Sequence, residues 1–174
     1  MRLISPKTWL TAALLSALSL PSLASSAPGS LSSISEYQLD NGMKVIVKQD
    51  HRAPVVVHQV WYKVGSTYEK VGSTGLSHML EHMMFKGTKT LKPGLFSKQV
   101  SQLGGQENAF TSANYTAYYQ VVGKQHLEKV MRLESDRMRN LVIEDAEFNK
   151  ERDVVTEERR WRLEDQPSSK LNEQ

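Results

Sequence analysis

The stretch GSTGLSHMLEHMMFKGT, residues 72–88, decides how the rest of the chain is read. Leu76 to Phe85 contains neither Gly nor Pro, and Ser73 or Thr74 stands where a helix cap is needed, so the segment reads as a helix. His78 and His82 are four apart, and Glu81 follows His78 by three. At about 100° per residue all three share one face, stacked a turn apart. Two neutral imidazoles so arranged can hold one metal ion, and a carboxylate beside them can take a proton from water. At the chain's own frequencies of His and acidic residues, roughly 0.015 such patterns arise by chance.

Outward from this helix, strand and helix signals alternate. On the N-terminal side, EYQLDNGMKVIVKQD places two apolar-alternating runs around Asp40-Asn41-Gly42, a hairpin turn, because Asn and Gly tolerate positive φ. Val55 to Val64 is rich in Val, Trp and Tyr and reads as a third strand. On the C-terminal side, Pro93-Gly94 opens a short helix that Gly104-Gly105 stops. Strands follow around Asn108–Thr111 and Tyr115–Val122. Leu127, Val130, Met131, Glu134, Met138 and Leu141 recur at helical spacing and predict an amphipathic helix over 125–141. A last helix is expected from Asp145, acting as its cap, to Leu163. Hairpin-linked strands with interleaved and then paired helices predict an α+β domain whose sheet is largely antiparallel.

Composition narrows the chemistry. The chain has 174 residues, 39% of them hydrophobic and 24% charged, which supports a packed core. It has no cysteine, so disulfides, thiolate metal sites and cysteine nucleophiles are excluded, and any metal rests on His, Asp or Glu. A net charge of +3 is too small for a nucleic-acid face.

Residues 1–24 read as a signal peptide: Arg2 and Lys7 precede the uncharged run Trp9–Leu20, Pro21 breaks it, and small residues follow to a cleavage site after Ala24. Twelve residues span about 18 Å, short of the roughly 30 Å hydrocarbon core, so no stable membrane anchor is expected. An exported chain, periplasmic or secreted, follows. Residues 25–35 read as a Ser-rich linker, and 36–174 as the folded domain.

A catalytic zinc takes a third protein ligand and leaves a position open. The last helix, NKERDVVTEERRWRLED, offers candidates. Glu151 and Glu158 are seven apart, two turns, and share a stripe; Glu157 is turned about 100° from Glu158. Val154 and Val155 would seat that stripe inward. Periodicity alone reads it equally well as a solvated acidic face paired with Arg152, Arg159 and Arg160.

Taken together, DNGMKVIV, VGSTYE, TGLSHMLEHMMFKGT, GGQENAFTSANYTAYY and ERDVVTEERR, in that order, resemble the pitrilysin, insulin-degrading enzyme and mitochondrial processing peptidase family of inverted-motif zinc peptidases, in its bacterial exported branch. The resemblance runs from about Glu36 to Pro167. It implies one Zn2+ per chain on His78, His82 and Glu158, with Glu81 as general base and Glu151 supporting the site. It implies that Gly104, Gly105, Asn108, Ala109 and Thr111 lie along a strand to which an extended peptide substrate is added. The implied fold is the N-terminal half-domain of a two-domain clamshell, with the companion half, which completes the chamber as a domain or as a subunit, absent from this chain. The expected function is zinc-dependent endopeptidase; a non-catalytic scaffold or partner subunit is the alternative, and a simple zinc-binding protein a third reading.

Overall fold

The computed structural model describes residues 33–164; the signal-peptide reading and most of the linker reading lie outside them. Two compact units divide at residue 50. The first contains the hairpin of β1 (Ile34–Gln38) and β2 (Lys44–Lys48). Leu39 and Met43 close its turn, with the Leu39 N–H donating to Met43 O, and Gly42 takes φ +84°, the conformation its missing Cβ permits. The linker expected through residue 35 ends earlier. Ile34 and Ser35 already pair with Lys48 and Val47, because the complementary strand satisfies their backbone groups.

The second unit carries the site. β3 (Val55–Tyr62), β4 (Gln106–Thr111) and β5 (Thr116–Gly123) form an antiparallel sheet in the order β3-β5-β4. β5, the central strand, is buried along most of its length, and β3 and β4 alternate between more and less exposed positions. Among the described residues four α-helices accompany the sheet: α1 (Leu76–Met83), α2 (Leu95–Gln102), α3 (Leu127–Asn140) and α4 (Asp145–Glu164). Phe96 and Val100 of α2, Val122 of β5, and Val130 and Leu133 of α3 form the core.

On α3 the buried stripe differs from the expected one. Val130, Leu133, Glu134 and Arg137 face inward, while Met131 and Met138 are exposed. The reason is a buried ion pair. Arg137 donates to Glu134, Gln120 donates to the same carboxylate, and the guanidinium packs over the rings of Phe85, Phe96 and Tyr118. Tyr62, beside this pair, has its hydroxyl pushed up to about 12 by burial and the Glu134 charge, against the opposing pull of Arg137.

A backbone crossing then brings α1 and α4 together. Leu141 leaves the helix and bridges Thr88, while Lys89 N–H donates to Asn140 O and Val142 N–H to Gly87 O. Gly87, at φ +115°, makes this crossing feasible: a Cβ there would stand 2.6 Å from Leu91 O.

Candidate metal centre

α1 begins without a side-chain cap from Ser73 or Thr74. Its N-cap is Gly75, in the left-handed region at φ 90°, and the Glu69 carboxylate accepts from the N–H groups of Gly75 (2.7 Å) and Ser77 (2.6 Å). Burial would raise the Glu69 pKa, but these two amides hold it below the ordinary carboxylate value. An acid seven residues before Leu76 in sequence thus supplants the adjacent hydroxyls, because the left-handed glycine turns the first amides towards it. α1 buries Met79 and Met83 and leaves His78, Glu81 and His82 partly exposed.

α4 supplies the other half. It starts at Asp145, which lies inside its first turn rather than before it; the first bond runs from Phe148 N–H to Glu144 O. Val154 is exposed and Val155 half-buried, so the expected pair of inward valines is reduced to one. The buried residue of the stripe is Glu151, whose charge is paired on both oxygens: Oε2 with His82 Nδ1 at 3.0 Å, and Oε1 with Lys86 Nζ. Burial pushes the Glu151 carboxyl up, and the Lys86 and His82 contacts outweigh it, so it stays ionised below its usual range.

Two turns further, Glu158 reaches both imidazoles. Its Oε2 lies 3.6 Å from His78 Nε2 and its Oε1 3.7 Å from His82 Nε2. One donor atom from each of these residues falls within 4.8 Å of the others. Glu157, by contrast, is exposed and paired with Arg160.

The donor set fits a zinc ion. Bonds of about 2.0–2.2 Å at tetrahedral angles separate donors by about 3.3–3.5 Å, close to the 3.6 and 3.7 Å between Glu158 and the two imidazoles. The Glu151 carboxylate only accepts, so the His82 proton sits on Nδ1 and the Nε2 lone pair faces the cluster. His78 is held below the ordinary imidazole value by burial and by the neighbouring His82, against the pull of Glu81 and Glu158. Glu81 stands on the same helix face, and its Oε2 accepts from Thr111 Oγ1 at 2.5 Å. Thr116 lies 3.3 Å from that hydroxyl and donates to Val64 O.

The residues expected along the substrate strand take several positions. Thr111 meets Glu81. Asn108 and Ala109 lie on β4, whose second edge is unpaired among the described residues, and Asn108 Oδ1 accepts from Ala109 N–H. Gly104 and Gly105 do not lie on the strand as expected but precede it: Gly104 takes φ +69° to end α2, and a Cβ on Gly105 would stand 2.6 Å from a Val122 methyl, so both shape the turn into β4. Lys86 and Glu69 escaped the reading of the sequence. Lys86 had a signal: it follows His82 by four, on the line from His78.

Residues 44–174 match the family described as Insulinase (Peptidase family M16). Over 134 residues the chain is 42% identical to a Helicobacter pylori protein named Zinc protease PqqE, covering 76% of this chain and 30% of that relative. Over 146 residues it is 37% identical to the rat Cytochrome b-c1 complex subunit 1, mitochondrial, covering 81% and 30%. The chain thus spans about a third of the length of these curated relatives. The crystal structure of a protease from Helicobacter pylori superposes with TM-score 0.75 at 40% identity, covering 76% of this chain and 32% of that one. The pitrilysin crystal structure superposes with TM-score 0.69 at 26% identity, covering 75% and 14%.

Proposed function

The chain belongs to the insulinase family, peptidase family M16, and from that membership we propose that it provides the metal-binding part of a zinc-dependent endopeptidase acting on short or unfolded peptides. One observation carries this reading: His78, His82 and Glu158, from two helices far apart in sequence, bring three ligand atoms within 4.8 Å of one another. Zinc, when bound, supplies a Lewis acid that polarises the scissile carbonyl and acidifies water. Glu81 takes the proton of the attacking water on a carboxylate whose pose Thr111 holds, and returns it to the departing amine. The free edge of β4 offers main-chain groups to an extended peptide, a mode that favours unfolded substrates.

Export to the periplasm or beyond is part of the proposal and rests on residues 1–24. No helix among the described residues is long and apolar enough to cross a membrane. A second homologous domain or subunit would complete the substrate chamber.

A non-catalytic partner subunit is the second reading, and the similarity to a protein named as a cytochrome b-c1 complex subunit favours it. Against it stands the presence of Glu81, which metal retention alone does not require. Zinc content and cleavage of a quenched fluorescent peptide separate the two. The wild-type chain should bind one zinc and cleave; Glu81→Gln should keep the zinc and lose cleavage; His78→Ala should lose both. Zinc retention with no cleavage by the wild-type chain would favour the subunit reading, and cleavage surviving in Glu81→Gln would remove Glu81 from its role.

A further inference from the structure

We propose that Lys86 is a positioning residue of the metal centre: by holding one oxygen of Glu151, it fixes the other on His82 Nδ1 and so aims His82 Nε2 at Glu158. The inference rests on the zinc-site reading above and adds a residue that the ligand motif does not contain.

Lys86 is placed firmly. It lies just beyond α1, its N–H donates to Met83 O at 2.9 Å, and the chain turns at Gly87 immediately after it. Its ammonium reaches Glu151 Oε1, while Glu151 Oε2 lies 3.0 Å from His82 Nδ1. Both partners of this carboxylate therefore come from the α1 segment, and the carboxylate belongs to α4. The side chains of Glu151 and Lys86 are only 10% and 26% exposed, so water replaces the ammonium poorly if it is removed.

The consequence reaches the ligands through helix geometry. Glu151 and Glu158 lie two turns apart on one stripe of α4, so the rotation of α4 that seats Glu151 between Lys86 and His82 also presents Glu158 to the imidazoles. A carboxylate pinned by His82 alone could swing about its own χ angles towards solvent. Pinned on both oxygens, it cannot turn without breaking a charged contact. A pair of this kind contributes little net stability against apolar substitutes, but loss of one member leaves the other buried and uncompensated. Outer partners of metal-bound histidines set ligand orientation in this way.

The experiment measures zinc affinity by chelator competition for wild type, Lys86→Met, Lys86→Arg, Glu151→Gln and the double variant Lys86→Met/Glu151→Gln. Lys86→Met should weaken zinc binding by about tenfold, and Lys86→Arg should recover most of the loss. In the Glu151→Gln background, Lys86→Met should cost nothing further, because Lys86 acts only through that carboxylate. Long-range 1H–15N spectra of the zinc-bound chains should show the His82 Nδ1–H resonance displaced in Lys86→Met and restored in Lys86→Arg, a readout that a role in helix packing alone would not move. Lys86→Gln is read in the same way should Lys86→Met fail to fold. Unchanged zinc affinity in Lys86→Met, or in Lys86→Gln should that variant take its place, overturns the proposal, as does a full additional loss in the double variant. A wild-type chain that binds no zinc overturns the parent reading and this one together, and is distinguished from those outcomes by the wild-type titration alone.

Discussion

His82 offers its two ring nitrogens to two different acids, Nδ1 to Glu151 and Nε2 to Glu158. That division of labour explains why two glutamates at a seven-residue spacing have different tasks. On the proposed reading the buried one would orient His82, and the half-exposed one would be the ligand. The seven-residue spacing from Glu151 and the family resemblance already single out Glu158 over Glu157 on a helix rich in charge. Glu158→Gln should lower zinc affinity strongly, whereas Glu157→Gln should leave it within error, because Glu157 is exposed and pairs with exposed Arg160. Chelator competition measures both, and equal losses would mean that the last helix is turned by one residue from the orientation described. The imidazole pair and Glu81 were legible in the sequence because they share one helix, where spacing alone sets the face. The Thr111 contact to Glu81 was not, because strand and helix positions 30 residues apart have no common period.

Among the elements, α1 carries the clearest local device. Its first amides are served by Glu69, and the carboxylate complements the positive end of the helix while the same helix presents the ligand face. Glu69→Gln should destabilise the chain by about 1 kcal/mol near neutral pH. The folded carboxyl has a pKa below its ordinary 4.5, so its contribution is present above that value and is lost as pH falls through the folded pKa. The gap between variant and wild type, followed by urea unfolding, should therefore close in acid. A gap that persists at low pH would assign the loss to shape rather than charge. Element boundaries followed the sequence closely wherever a glycine or an alternation marked them, as at Gly104 and along β3. The inward face of α3 did not, because burial of Glu134 depends on Arg137, Gln120 and three aromatic rings gathered from other elements.

Across the whole molecule, the proposed ion would join α1 to α4 over a sequence gap of 76 residues from His82 to Glu158, in addition to the backbone crossing at Thr88 and Leu141. Binding to the folded state alone should stabilise it by about 2.7 kcal/mol when free zinc is a hundredfold above Kd. Added zinc should thus raise the melting temperature by several degrees, EDTA should reverse the rise, and Glu158→Gln should shrink it; a shift undiminished in that variant would place the stabilising ion elsewhere. The sequence by itself determined the α+β character, the hairpin, the helix bearing His78, Glu81 and His82, and membership of an inverted-motif peptidase family, because local periods and short motifs record these directly. The seven-residue spacing and the family motif already pointed to Glu158 rather than Glu157; only the tertiary structure decided that Lys86 shares Glu151 with His82, that Thr111 meets Glu81, and that Glu69 serves the start of α1. Each of those relations is a distance between segments, and such distances are set by how helices rotate and pack on the sheet, a quantity that no local spacing contains.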